Sequence, residues 1–159
     1  DIIKNNNIRF IPNLKLFEDA LFNLEYMMYC KKYCVYNDYI YIYSINNNSA
    51  VHKYYEDLYN QDEIRVKKLC EFLEKSQKKF DYEEAKSILI FEFFCGYLIN
   101  LSKSKKNFFK ELKEKINNSV YTEYLKKVNK NKLSRNHLII YNLLKLRLYF
   151  IIYLLCKLK

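Results

Sequence analysis

Lys103, Lys106, Lys110 and Lys113 recur every three or four residues, and Lys126, Lys127, Lys130, Lys132 and Arg135 follow in the next stretch. At 100° per residue the first four fall on one stripe of a helix, beside an apolar stripe of Phe109, Leu112 and Ile116. In the second stretch Lys126, Lys127 and Lys130 lie opposite Tyr121, Leu125 and Val128. A row of ammonium groups can neutralise nucleic-acid phosphates or anionic headgroups, and it can steer an acidic protein partner. The same pattern also describes lysines that do no more than solvate exposed helix faces. Four of the 28 Lys and Arg residues are arginine. Base-edge readout relies on arginine forks, so sequence-specific nucleic-acid recognition is the least favoured of these chemistries.

Other chemistry-bearing residues are sparse. Cys30 and Cys34 share a helical face, but zinc needs four ligands and only His52 and His137 supply imidazoles. Neither histidine stands in a Cys–His or Ser–His signature. Glu92 lies in the most apolar stretch, SILIFEFFCGYLINLS. It is either a buried acid paired with Lys145 or Arg147, or part of a narrow polar stripe with Gly96, Asn100 and Lys103 that reaches solvent. The stripe is favoured, because unpaired charges are rarely buried, and Gly96 on it suits a close helix approach. Most of the 17 tyrosines occupy core or margin positions of helices, where a ring is buried and its hydroxyl stays wet.

Composition narrows the function classes. A single glycine cannot build a phosphate-cradling loop or a dinucleotide fingerprint, which need several. One glycine and one proline also disfavour a turn-rich β-barrel or sandwich. Five cysteines, an odd number set within helical patterns, fit a reducing compartment, either cytoplasmic or in a host cell after export. Lys, Asn, Ile and Tyr dominate, as in proteins from very AT-rich genomes such as those of parasites and large DNA viruses. Charge is unevenly spread: residues 1–102 hold 13 Lys/Arg against 15 Asp/Glu, and residues 103–159 hold 15 against 3.

Apolar periodicity supplies the elements that position these residues. Residues 1–13 read as an extended lead-in ending near Pro12, and residues 14–159 as one helical domain. Helices are expected over 14–35, 50–60, 62–80, 82–102, 104–117, 119–129 and 134–158, with a short extended segment near 36–44. Ser49 and Ser134 are expected caps, and Asp81 to Glu84 forms a capping-box pattern. The terminal LLKLRLYFIIYLLCKLK has an uncharged run of nine, Leu148 to Cys156. Nine residues rise about 14 Å, too little for a bilayer core of about 30 Å. A longer span would carry Lys145 and Arg147 near its centre at roughly 5–7 kcal/mol together. Its uncharged stripe, Ile140, Leu144, Leu148, Ile151 and Leu155, faces away from a polar one of Asn142, Lys145, Tyr149 and Tyr153. That pattern suits a core helix.

The expectation is therefore an all-α, single-domain bundle of six or seven helices, with 82–102 and 134–158 at its centre. It is expected to be non-catalytic and to carry no cofactor or metal. The favoured function is a protein–protein interaction or scaffold module whose lysine-rich face meets an acidic partner. Nucleic acid or anionic membrane bound through 103–135, and a small helical regulator of a host pathway, are the alternatives. A transmembrane span is not expected.

Overall fold

A computed structural model describes residues 1–39, 42, 53–75 and 82–158. Among them there is no strand, and eight α-helices form the fold: α1 (Ile2–Asn5), α2 (Glu18–Met28), α3 (Leu58–Lys75), α4 (Tyr82–Ser102), α5 (Phe108–Asn117), α6 (Thr122–Lys127), α7 (Arg135–Lys145) and α8 (Tyr149–Lys157), with a 3₁₀ turn at Lys130–Lys132. The domain is all-α, with one α-helix more than the six or seven expected. The segment near 36–44, Ser49, His52 and Asp81 lie wholly or partly outside the described residues. The described parts, 36–39 and 42, have no regular structure.

Helix α4 is the hub. It packs against α3, α5, α6, α7 and α8, while α2 rests on α3. Its sequence is apolar nearly all round, the mark of a helix buried on several sides. Ile90, Phe91, Phe94 and Leu98 are essentially inaccessible, and each contributes roughly 1.5–3 kcal/mol by leaving water. Among the described residues α4 alone is long and apolar enough to cross a membrane, yet 67% of its apolar window is buried inside the domain.

Several boundaries differ from the expectation. The lead-in opens with α1, capped by the Asp1 side chain, and its Ile8 is fully buried. No separate helix covers the described part of 50–60: residues 53–57 are non-helical and Leu58–Asn60 already belongs to α3. A side-chain clamp fixes this connector. Asn100 Oδ1 accepts from the Tyr55 amide at 2.8 Å, and Asn100 Nδ2 donates to the Tyr55 carbonyl at 2.7 Å. Helix α5 starts at Phe108 under an Asn107 cap, because residues 103–107 form the turn leaving α4.

The largest correction concerns the chain's last helix. Ser134 caps it as expected, its Oγ accepting from the His137 amide. However, residues 134–158 form two helices. At the break the Leu148 amide donates to the Leu143 carbonyl at 2.9 Å and the Arg147 amide to that of Leu144 at 3.1 Å. These two bonds are a Schellman motif, and Arg147, at φ 58°, occupies the left-handed position usually given to glycine. The break rotates α8 relative to α7, so the single stripe dissolves: Leu148 and Ile151 are exposed, and Ile152 and Cys156 are buried instead. The centre of the fold is α4 with only one face of α8, since α7 has no fully buried residue.

Candidate functional site

The basic face is built from α5, α6 and the turns around them. Lys106, Lys110, Lys113, Lys126, Lys127, Lys130, Lys132 and Arg135 are exposed, and Lys103 is half-buried. The helix break at 103–107 divides the expected four-lysine stripe: Lys103 and Lys106 belong to the turn, and only Lys110 and Lys113 share α5. Lys126 and Lys127 close α6, Lys130 and Lys132 begin and end the 3₁₀ turn, and Arg135 opens α7. The apolar stripes beneath them are real. Leu112, Tyr121 and Val128 are buried, whereas Phe109 is partly exposed against Tyr153.

The carboxylates within 103–135 are already engaged. Glu114 pairs with Lys115 at 3.1 Å, Glu123 pairs with Lys127, and Glu111 accepts from the Tyr97 hydroxyl. Among the described residues no carboxylate lies within ion-pair distance of Lys106, Lys110, Lys113, Lys126, Lys130, Lys132 or Arg135. Next to this face, between α4, the end of α5, α6 and α7, opens a cleft of about 200 Å³. Phe91, Ile116, Leu125 and Leu144 supply its apolar wall and Lys126 and Lys145 its charges, with no acidic side chain on it.

Two further clefts flank the exposed side of α4, sharing Glu92, Gly96 and Ile99 as a common wall. The first, about 300 Å³, is closed by α7 and α8 and is mostly apolar. At its edge His137 Nδ1 lies 3.5 Å from Glu92 Oε1. Glu92 is 41% exposed at its side chain, so the polar stripe reaches solvent, and neither Lys145 nor Arg147 pairs with it; the basic side chain beside it is His137, without a hydrogen bond. Gly96 does not serve a close helix approach: a Cβ added there meets nothing within 4 Å. The second cleft, about 330 Å³, lies between Phe17, the 53–58 connector, α3 and α4, and its charged lining is Lys53, Arg65, Lys103 and Glu92.

Beneath the second cleft is a buried polar group that the sequence reading did not single out. Asp62, Arg65 and Tyr121 are nearly inaccessible. Arg65 Nη1 approaches Asp62 Oδ1 at 2.7 Å, an ion pair without hydrogen-bond alignment. The Tyr121 hydroxyl donates to Asp62 Oδ2. Burial raises the Asp62 carboxyl from 3.8 to about 6, against the opposing pull of Arg65 and Tyr121. Burial likewise pushes the Tyr121 phenol well above its ordinary range, with the Asp62 charge adding to the effect. Tyr121 packs against Tyr59, Phe94 and Tyr97, so the tyrosines that matter here are core residues. A signal for this group exists in the sequence. The α3 face Val66, Leu69, Leu73 extends one turn back through Asp62 and Arg65, which puts two charges on an apolar stripe.

Among the described residues no three His, Cys, Asp or Glu side chains gather as a metal site, and Cys30 and Cys34 bring no further ligand. Cys34 is exposed and Cys30 half-buried, and no disulfide is present among the described residues. The described residues are thus all-α, with a basic face, clefts on the flanks of α4 and a buried Asp–Arg–Tyr group. Comparison with protein-family models, with curated proteins and with solved structures gave no match.

Proposed function

We propose that this chain is a non-catalytic protein–protein interaction module, working in a reducing compartment, whose basic face docks an acidic partner. The observation that carries this reading is the 200 Å³ cleft beside Lys126 and Lys145. A run of lysines alone suits any polyanion, because phosphates, headgroups and carboxylates all answer to the same charge. An apolar cleft set among those lysines suits a protein better. It accepts one buried aliphatic or aromatic side chain as an anchor while surrounding carboxylates meet the cations, the arrangement in which interface hot spots are found. The scarcity of arginine also weighs against base readout. In this reading α4 is the core of the domain and not a membrane span.

The test compares four probes on the full chain: a Glu-rich peptide with Leu and Phe anchors, the same peptide with the anchors changed to Ala, duplex and single-stranded nucleic acid, and phosphatidylserine vesicles. The anchored peptide should bind tightest, weaken with added salt, and lose on the order of tenfold in affinity to Lys126→Glu with Lys145→Glu, about 1.4 kcal/mol. Tighter binding to nucleic acid or vesicles would make the corresponding alternative correct. Indifference to the anchors would remove the cleft from the argument.

A further inference from the structure

We infer that the outer face of α8 docks onto an anionic bilayer, with the helix lying in the headgroup plane and not spanning it. Three observations meet there. First, α8 leaves an apolar ridge uncovered. At 100° per residue Phe150, Leu154, Leu158 and Ile151 fall in one arc of about 100°, and they are between 42% and 85% exposed. Ile152 and Cys156 lie on the opposite side and are buried in the core around α4. The turn before the helix adds exposed Leu146 and Leu148. A concentration of large apolar side chains of this kind marks a surface that something covers. At nine residues α8 rises about 14 Å, which suits an interfacial helix and falls far short of a span.

Second, the charge around the ridge has one sign. Residues 124–159 hold nine Lys or Arg and no Asp or Glu. Arg147 is exposed in the turn between Leu146 and Leu148, and exposed Lys157 borders Phe150 on the helix. Among the described residues neither forms an ion pair with a carboxylate. Insertion of the apolar face and attraction of cations to anionic headgroups act together at such a surface. Third, the margin of the ridge has the residues of a membrane interface. Tyr153 lies there half-buried, with Lys157 over its ring at 5.8 Å and Phe109 of α5 at 5.9 Å between centroids. Phe109 is partly exposed, and Lys113, one turn further along α5, is exposed. Tyrosine rings with a wet hydroxyl, and lysines that reach past them, belong at headgroup depth.

Charge and shape select the bilayer among the surfaces that could cover this ridge. A second copy of the chain, paired about a two-fold axis, would set one cationic rim against another. An acidic protein would need a groove cut to a convex helix, whereas lipid chains pack around any shape. The centre of the ridge is Leu, Ile and Phe without a polar atom to orient a protein partner, and its cations stand at the edge, where headgroups lie.

The experiment is sedimentation of the full chain with vesicles of phosphatidylcholine alone, and of phosphatidylcholine with an equal part of phosphatidylserine. The mixed vesicles should bind, and the neutral ones should be weaker by on the order of tenfold or more. The sequence has no tryptophan, so Phe150→Trp places a single reporter on the ridge, and Met27→Trp places one on the exposed side of α2, which rests on α3. On mixed vesicles, brominated lipid chains should quench Phe150→Trp and leave Met27→Trp unchanged. Leu154→Ser with Leu158→Ser alters exposed side chains; it should fold normally, as judged by circular dichroism, and lower vesicle binding by on the order of tenfold. If it does not fold, the two reporters decide alone. The same double variant should keep its affinity for the anchored acidic peptide, which separates this face from the cleft at Lys126 and Lys145. Mixed vesicles that do not bind, or that a folded double variant binds as well as the parent, overturn the inference, the latter pointing to attraction through 103–135 alone. An unquenched Phe150→Trp on bound vesicles overturns it too. So does a dimer that the double variant splits, or loss of the acidic peptide from that variant, which would make the ridge a protein surface.

Discussion

Replacing Tyr121 by Phe removes one oxygen from the interior and nothing else, so it isolates the hydrogen bond to Asp62. Its cost depends on the charge of that carboxyl. Above about pH 6 Asp62 is ionised, and a hydrogen bond to a buried charge contributes about 1.5–3 kcal/mol. Well below that pH the carboxyl is neutral and the bond falls to roughly 0.5–1.5 kcal/mol. Tyr121→Phe should therefore cost about 1–1.5 kcal/mol more near pH 8 than near pH 5, equivalent to raising the Asp62 carboxyl by a further unit or so. The parent protein has its own trend. A carboxyl raised from 3.8 to about 6 contributes stability that is fully present below 3.8 and is lost as pH rises through 6, about 3 kcal/mol in all. Asp57 and Glu123, lowered chiefly by hydrogen bonds from Gln61 and Lys127, act in the opposite sense but only as pH falls through their depressed range. Both act below the range in which Asp62 loses its proton. Urea denaturation followed by far-ultraviolet circular dichroism at about pH 5 and about pH 8 measures the Tyr121→Phe cost, and a series between them and below gives the parent's trend. A Tyr121→Phe cost that is equal at the two pH values, or larger in acid, would refute the reasoning.

Three further substitutions test other parts of the account. Gly96→Ala should stabilise by about 0.5–1 kcal/mol in thermal or urea unfolding, since the glycine lies within α4, without a positive φ, and its new methyl meets nothing. Arg147→Gly should be neutral or stabilising by up to about 1 kcal/mol, because residue 147 is left-handed; a loss of about 1 kcal/mol would instead indicate a continuous terminal helix. Asn100→Leu removes both side-chain bonds to Tyr55, whose carbonyl keeps the longer bond from the Leu58 amide at 3.4 Å. It should cost about 1–3 kcal/mol and speed hydrogen exchange at Tyr55 first.

Those substitutions also mark which parts of the fold could be read from sequence. Helix α4 was legible to the residue at its C-terminus, because a long all-round apolar run has few other uses. Ser134 was legible as a cap because its oxygen needs only a local amide. The start of α3 was not: Gln61 and Asp62 look like a polar helix beginning, and only distant partners, Lys15 and Tyr121, make them interior residues. The turn at 103–107 was hidden by two competing caps, Ser104 and Asn107, of which the second won. The break at 146–148 had no glycine or proline to announce it, since an arginine took the left-handed position. Of the basic face, the residue types were legible and the exposure followed, but the shared stripe did not survive the turn. The clefts were illegible because they are made of spaces between elements, and a sequence pattern records only what fills a face.

The position of α4 as hub has a consequence for the order in which the chain is made. Its apolar surface is finished when Ser102 is synthesised, but the side chains that cover one flank, Ile152 and Cys156, come roughly 50 residues later. At about 5–20 residues per second that is an interval of several seconds. During it the nascent chain presents one uncovered hydrophobic flank of α4 next to a strongly cationic segment as it emerges. Ribosome-bound chains stalled before α8 clears the exit tunnel should therefore bind a hydrophobic dye and recruit a chaperone, and chains stalled after it should do neither. The fold closes from its far end, and until then one flank of its future core stays open.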